Sequence, residues 1–219
     1  MNLRLFDSVL ITGCRFEIGQ GLCRILKESG AARVVTGSDF STDHPGTMIF
    51  DHFEESSRPD HQEYFDSIRR IVKARHVDLI VPMSEAEIYL FTDEGYFDFF
   101  EGVPLLTPNS ESILIGQDKL TTMQFFSEQA IPHPWTLVVG DDDPLDVPCV
   151  IKPRRGNEGE NFLIVWNPEM VPILRKNRPD DIWQELLGPE EEEYTCGLFR
   201  SRAGDVRSIS FRRRLQGGY

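Results

Sequence analysis

In the first half of the chain, short apolar stretches alternate with stretches of helical periodicity. The apolar stretches predict strands at residues 8–12, 33–36, 47–50, 77–81 and 103–106. Between them, apolar side chains recur at helical spacing, which predicts helices at residues 18–29, 64–74 and 85–91. Strands that alternate with helices of this length favour a parallel sheet with helices on both faces.

The pattern changes after residue 107, where the sequence Thr107-Pro108-Asn109 predicts a domain boundary. Helices are predicted at residues 118–129 and 168–176. Strands are predicted at residues 136–139, 150–152, 162–166 and 182–187, and an antiparallel hairpin at residues 194–199 and 206–211. The change from alternation to antiparallel strands predicts two folding units, residues 1–107 and 108–219.

Composition narrows the class of function. The 219 residues carry 36 acidic and 23 basic side chains, a net charge of −13, which argues against broad binding to nucleic acid or anionic membranes. The four cysteines are far apart and the five histidines are scattered, so we expect neither a disulfide framework nor a metal site in this chain. No stretch resembles a membrane span or a targeting segment, and a cytoplasmic protein is predicted.

Two lysines lie at the ends of predicted secondary-structure elements, and a glycine-bearing loop follows the second of them. Lys119 follows Asp118 at the start of a predicted helix, and Lys152 ends an apolar strand just before the loop at residues 154–161. Lysines supply point charges for phosphate oxygens, and the backbone of such a loop can approach them closely. The loop lacks the end of a Walker A motif, so a P-loop NTPase is excluded. The ordinary interpretations are a helix cap with a solvated lysine, and a simple hairpin loop.

Carboxylates follow the strand that ends in Glu185, Leu186 and Leu187. Residues 190–193 are all glutamate, and a run of acids is usually a solvated turn. The alternative is that one of these carboxylates binds both ribose hydroxyls of a nucleotide, while the backbone at residues 186–187 binds the adenine edge.

A dinucleotide site is the competing interpretation of the first strand–helix turn. Gly13, Gly19 and Gly21 follow the first strand, and Asp39 ends the second, where a ribose hydroxyl would be bound. However, Glu17 occupies the position of the middle glycine, and its charge would repel a pyrophosphate. No Tyr-x-x-x-Lys pair occurs downstream. A tight turn without a dinucleotide is therefore favoured, and an NAD(P)-dependent epimerase or reductase is the alternative.

In this order, the motifs resemble the ATP-grasp superfamily, specifically its carbamoyl-phosphate-synthase-like branch. The matching segments cover nearly the whole chain and include residues 77–87, 118–119, 131–134, 150–153, 184–188 and 193–195. The resemblance implies an α/β protein with a Rossmann-like pre-ATP-grasp domain at residues 1–107. It implies that residues 108–219 form part of an ATP-grasp domain, namely a lid subdomain at about 135–187 and the start of the C-terminal subdomain.

The resemblance also implies which residues hold ATP. Lysines would contact the phosphates, the loop at residues 154–161 would cover them, and the later residues would bind adenine and ribose. The implied ligands are Lys119, Lys152, Arg155, Gly156, Gly159, Glu185, Leu186, Leu187 and Glu193. Glu191 or Glu192 is the alternative to Glu193 for the ribose.

The activity implied by the resemblance is an ATP-dependent carboxylate–amine ligase that works through an acylphosphate. Its Mg²⁺ ligands would lie beyond residue 219, so the chain is expected to be truncated at its C-terminus, and no catalytic residue is assigned. The implied partners are small carboxylate and amine substrates, with a homodimer or a second chain that completes the fold as alternatives. A non-catalytic nucleotide-binding fragment is the remaining hypothesis. Ser84, Glu85 and Glu87 are predicted either to touch a substrate or to cap the following helix.

Overall fold

The structure, a computed structural model, describes residues 5–156, 161–189, 192–201 and 203–212. The chain forms two compact units, residues 1–114 and 115–219. Sequence patterns placed a boundary after residue 107, seven positions before this division.

The first unit is built on a parallel sheet. Its strands are β1 (Phe6–Thr12), β2 (Ala32–Asp39), β3 (His52–Glu55) and β4 (Leu79–Pro82). Their order is β3-β2-β1-β4, and every neighbouring pair is parallel. The predicted parallel sheet is therefore confirmed.

Helices cover both faces of this sheet, as the alternating pattern predicts. They are α1 (Glu17–Glu28), α2 (Tyr64–Arg75) and α3 (Glu85–Asp93). Successive residues of a strand point to opposite faces. Val9 of β1 accordingly packs in a core with Cys23 of α1, whereas its neighbour Leu10 packs in a second core with Ile68 of α2 and Phe91 of α3. The unit is completed by a short antiparallel pair, β5 (Phe99–Phe100) and β6 (Val103–Pro104), and by α4 (Ser110–Gly116), within which the two units divide.

The predicted strand at residues 47–50 is wrong. Residues Pro45–Met48 form a short 3₁₀ helix with proline in its first turn, and the strand follows at His52–Glu55. Phe50 is 7% exposed and packs so closely on Gly37 that a Cβ there would lie 2.6 Å from the ring. The apolar stretch therefore packs Phe50 onto the sheet, and a polar stretch forms the edge strand through backbone hydrogen bonds to β2.

The second unit contains an antiparallel sheet. Its elements are α5 (Lys119–Glu128), β7 (Thr136–Val138), β8 (Cys149–Lys152), β9 (Leu163–Val165), α6 (Val171–Asn177), β10 (Ile182–Glu185), β11 (Tyr194–Arg200) and β12 (Val206–Arg212). The order is β7-β10-β8-β9, and β11 pairs with β12 in the predicted hairpin. Trp183 of β10 is fully buried in a core with Ile151 of β8 and Leu174 of α6. None of the helices in the described part of the chain combines the length and apolar composition that a membrane span requires.

Candidate nucleotide-binding site

Asp118 caps the amino-terminal end of α5. It is 3% exposed, and its Oδ1 accepts hydrogen bonds from the backbone N–H groups of Leu120 and Thr121, at 2.9 and 3.3 Å. A cap of this kind satisfies amide groups that have no partner within the helix. The helix-cap interpretation of Asp118 is confirmed, and Lys119 is the first residue of α5.

The loop after β8 is tied to the same helix end. The Arg154 guanidinium donates from Nη2 to Asp118 Oδ2 at 2.7 Å and from Nε to Asp118 Oδ1 at 3.3 Å. The backbone N–H of Lys119 donates to the Arg154 carbonyl at 3.0 Å, and the Lys119 ammonium donates to the Gly156 carbonyl at 3.2 Å. These bonds bring the end of β8 and the start of α5 together.

Lys119 and Lys152 come from separate elements but lie close enough for their charges to interact. Lys152 ends β8, and its side chain is half-buried. Burial, first, and the positive charge of Lys119, second, lower the pKa of Lys152 below its ordinary value of 10.5. Both effects penalise the ammonium form, and a bound anion would oppose both. The pair is therefore suited to receive negative charge.

Alternation along β8 and β10 decides which side chains share a face with Lys152. Lys152 pairs with Ile182, and Val150 pairs with Gln184. Residues opposite each other in an antiparallel pair lie on the same face, as do alternate residues of one strand, so Gln184 shares the face of Lys152. Gln184 is 9% exposed, and its Nε2 donates to Thr136 Oγ1 at 2.9 Å. The sequence-based prediction missed Gln184, and strand alternation counted from Lys152 is the signal that identifies it.

Glu185 lies on the opposite face of the sheet from Lys152. Its Oε2 accepts a hydrogen bond from the backbone N–H of Trp135 at 3.3 Å. The two residues that follow, Leu186 and Leu187, are half-buried and 64% exposed, respectively. Because the Glu185 carboxylate is bound to the backbone of Trp135, the main chain at residues 185–187 is the better candidate to contact a nucleobase.

The other predicted phosphate ligands lie in the loop after β8. Arg155 is exposed, and its Nε lies 3.6 Å from Asp118 Oδ2. Gly156 has a φ of +119°, and a Cβ there would meet no other atom within 4 Å. This backbone conformation favours glycine, although the space around it is open. Gly159 lies outside the described residues.

The candidate ribose ligands precede β11. Glu193 directly precedes this strand and is half-buried. Glu192 is exposed, and its backbone N–H donates to the Pro189 carbonyl at 3.0 Å. Glu191 lies outside the described residues, so the choice among the three carboxylates stays a prediction.

In the first unit, the carboxylate of Asp39 holds the turn after β1. Its Oδ2 accepts from the backbone N–H of Arg15 at 3.2 Å, and its Oδ1 accepts from that of Ser41 at 3.1 Å. The Arg15 guanidinium in turn lies over the rings of Phe16 and Phe40, 4.5 and 4.6 Å from their centroids. Both oxygens of the carboxylate that a dinucleotide site would use for ribose are thus bound to the backbone, which favours the tight-turn interpretation.

Ser84 caps α3, and Glu87 is buried behind it. The Ser84 hydroxyl accepts from the Glu87 backbone N–H at 3.2 Å and donates to Glu87 Oε2 at 2.8 Å, while Tyr64 Oη donates to Oε1 at 2.7 Å. Glu87 is 2% exposed, and burial raises its pKa above the ordinary 4.5 although these two hydroxyl groups oppose the shift. The cap interpretation holds for Ser84. A substrate contact by Ser84, Glu85 or Glu87 stays a prediction.

The raised pKa of Glu87 predicts a pH-dependent stability difference in the Glu87→Gln variant. Because the folded-state pKa lies above the unfolded one, wild-type stability falls as pH rises from 4.5 through the raised value. Glutamine carries no charge, so the variant gains stability relative to wild type over that window. Urea unfolding at pH 4 to 7 measures the difference, and Glu85→Gln, an exposed position of the same helix, is the control. A difference that stays constant with pH would contradict this account of Glu87.

Comparisons with known proteins test the fold. A scan against models of protein families finds no match. Among curated proteins, a carbamoyl-phosphate synthase from Methanobrevibacter smithii is 23% identical over 107 residues, which cover 45% of this chain and 29% of that protein. Among solved structures, Rhizobium etli pyruvate carboxylase matches with a TM-score of 0.61 at 13% identity, over 93% of this chain and 19% of that chain.

Two shorter structures match as well. The biotin carboxylase domain of a thermophilic 2-oxoglutarate carboxylase, bound to ADP, has a TM-score of 0.53 at 16% identity, over 92% of this chain and 49% of that one. D-alanine–D-alanine ligase from Helicobacter pylori has a TM-score of 0.54 at 13% identity, over 97% of this chain and 76% of that one. The carboxylase domain and this ligase have ATP-grasp folds. This chain has an ATP-grasp fold.

The ATP-grasp likeness extends over most of the chain but over smaller shares of its relatives. The chain matches 29% of the curated synthase and 19% of the pyruvate carboxylase. The identities of 13 to 16% in the structural matches show a common fold and do not transfer a substrate.

The described residues of this chain contain no cluster of candidate metal ligands. Within residues 5–156, 161–189, 192–201 and 203–212, no group of three or more His, Cys, Asp or Glu side chains is placed to hold a metal ion. Use of Mg²⁺ stays a prediction, and no step is assigned to a metal.

Proposed function

We propose that the second unit binds ATP, with Lys119 and Lys152 at the phosphates. The observation that carries the proposal is the pair of hydrogen bonds from Lys119 to the carbonyls of Arg154 and Gly156, which hold the start of α5 against the loop that follows Lys152. The charge of Lys119 lowers the pKa of Lys152, and this unfavourable repulsion is what a polyphosphate would relieve.

The strand register gives the proposed nucleotide a direction. Glu185 pairs with Cys149, three residues before Lys152 along β8. At about 3.4 Å per residue, the main chain after Glu185 therefore lies ~10 Å along the sheet from Lys152. This separation suits a nucleotide whose base contacts residues 185–187 and whose phosphates reach the lysines. Gln184 and Val150 share the face of Lys152 between these ends.

The proposed reaction is the ATP-dependent ligation of a carboxylate and an amine. A substrate carboxylate oxygen attacks the γ-phosphorus of ATP, and the bond between that phosphorus and the β,γ-bridging oxygen breaks. The products of this step are an acylphosphate and ADP. The amine nitrogen then attacks the acyl carbon and loses a proton, and inorganic phosphate leaves. In the described chain, the lysines would neutralise phosphate charge and fix its position, which is how most of such a rate enhancement arises.

The similar proteins support this class of reaction. They include a ligase, a synthase and a carboxylase domain bound to ADP. In this proposal the first unit is the Rossmann-like pre-ATP-grasp domain, and the second is a lid subdomain with the start of a C-terminal subdomain. The small carboxylate and amine substrates, the homodimer or completing chain, and the cytoplasmic location stay predictions.

Titration calorimetry with ATP tests the proposed function. We expect wild-type protein to bind ATP, and Lys119→Met to weaken binding by roughly 10- to 100-fold, because a hydrogen bond to a charged group is lost. Lys176→Met, at an exposed position on α6, is the matched control and should bind as wild type does. Binding of NADH without binding of ATP would instead establish the dinucleotide alternative. ATP binding without turnover in the presence of carboxylates and amines would favour the non-catalytic alternative.

A further inference from the structure

Two adjacent arginines follow β8, and they have different environments. Arg154 makes a two-pronged contact with Asp118, at 2.7 and 3.3 Å, and its side chain is 37% exposed. Arg155 reaches the same carboxylate only at 3.6 Å and is 70% exposed. A guanidinium that meets a carboxylate with two nitrogens is held in a fixed orientation, whereas a single long contact from an exposed side chain is weak.

The buried carboxylate of Asp118 joins two parts of the site, the start of α5 and the loop after β8. Its side chain is 5% exposed, and it accepts hydrogen bonds from the α5 backbone as well as from Arg154. Burial alone would raise the pKa of Asp118, but the bonds from Arg154 and from the α5 amides outweigh it and hold the pKa below its ordinary range. Asp118 is therefore a stable anion beside Lys119.

The backbone reinforces this junction. Directly after Asp118, the N–H of Lys119 donates to the Arg154 carbonyl at 3.0 Å, and the Lys119 ammonium reaches the Gly156 carbonyl at 3.2 Å. Lys119 and Lys152 repel each other, so something must hold α5 against the end of β8 before a nucleotide arrives. The contacts of Asp118 and Arg154 are placed to do this.

We propose that Asp118 and Arg154 form a clamp that positions Lys119 and Lys152 for a triphosphate, and that Arg155 is the arginine that contacts the phosphates. The inference rests on the proposed ATP function and adds to it a division of roles between neighbouring residues. In the clamp, Asp118 and Arg154 act through the lysines and do not touch the nucleotide. Holding two like charges at a fixed spacing lowers the ordering cost of binding, so the clamp acts as pre-organisation.

Two substitutions separate the clamp from the helix cap. Asp118→Asn retains an oxygen acceptor for the α5 amides, and asparagine caps helices as well as aspartate does, so the charge pair alone is lost. Arg154→Met removes the other half at a partly exposed position and should fold even where an Asp118 variant does not. Arg155→Met is the matched comparison, one residue along the same loop.

The experiment measures the affinities of ATP and AMP for wild type, the three single variants and the Asp118→Asn/Arg154→Met double variant. We expect each clamp variant to weaken ATP binding roughly tenfold and AMP binding less than twofold, because the clamp positions groups that contact the additional phosphates. The double variant should be no weaker than either single variant, since both remove one interaction. Arg155→Met should also weaken ATP binding more than AMP binding, because it removes a guanidinium from the additional phosphates.

The outcomes distinguish the clamp from the proposed function. Wild type that binds no ATP overturns both. Wild type that binds ATP, with clamp variants that bind it equally well, overturns the clamp alone. Equal losses for ATP and AMP would also overturn it, because they would show a general structural role. A selective loss for ATP together with non-additivity of the two substitutions supports the clamp.

Discussion

Replacing Lys152 with methionine is expected to weaken ATP binding by roughly 10- to 100-fold and to stabilise the nucleotide-free protein. Both effects have the same cause, which is the cost of a charge on Lys152 when no anion is bound. Lys152 is half-buried beside the charge of Lys119, so its ammonium is unfavourable until an anion binds. Methionine has a similar length and no charge, and it removes both the repulsion and the phosphate contact. Calorimetry with ATP and urea unfolding without it measure the two changes.

The pH dependence follows from the lowered pKa of Lys152. In the unfolded chain the pKa returns towards 10.5, so the unfolded state binds more protons in the window between the two values. Wild-type stability should therefore rise with pH through that window relative to Lys152→Met. Bound ATP raises the pKa again, so ATP binding takes up a proton there and weakens as pH increases.

Calorimetry in buffers of different ionisation enthalpy measures this proton uptake, which should vanish in Lys152→Met. Lys176→Met, at an exposed position, should retain it. A Lys152→Met variant that is destabilised at neutral pH and still binds ATP normally would show that the lysine has a structural role only.

Trp183→Ala is expected to destabilise the second unit by about 3–5 kcal/mol, the usual cost of deleting a fully buried large aromatic side chain. Trp183 is completely buried in β10, which lies between β7 and β8, and its Nε1 donates to the Asp142 carbonyl at 3.1 Å. Loss of the side chain leaves a cavity beneath β10, whose residue Ile182 pairs with Lys152. ATP binding should therefore be lost together with stability.

Tryptophan fluorescence measures the unfolding of the second unit specifically. The chain has three tryptophans, at positions 135, 166 and 183, and all lie in the second unit. Trp135 and Trp166 thus remain as reporters in the variant. Trp166→Ala, at a position that is 69% exposed, is the matched control and should change stability by no more than about 0.5 kcal/mol. Equal effects at the two positions would contradict the assignment of Trp183 to the core.

Local sequence patterns predicted helices and strands well where a pattern fits only one type of secondary structure. The helix at residues 64–74 and the strand at residues 150–152 match α2 and β8 to within a residue. The strand predicted at residues 47–50 is wrong because only Phe50 of this stretch is buried, against Gly37, whereas Met48 is 84% exposed. An apolar stretch that buries one side chain can form a turn as well as a strand. Apolar character indicates that a residue is buried, but it does not indicate whether the backbone there is a turn or a strand.

The sequence by itself determined the alternation of strands and helices, the cap at Asp118, and the two lysines that mark the ends of α5 and β8. These features depend on neighbours along the chain, so the order of residues contains them. Only the tertiary structure decided that Arg154 pairs with Asp118 while Arg155 stays exposed. It also decided that Gln184, and not Glu185, shares the face of Lys152. Those choices depend on strand register and on contacts between residues more than 30 positions apart, because packing in space brings such residues together.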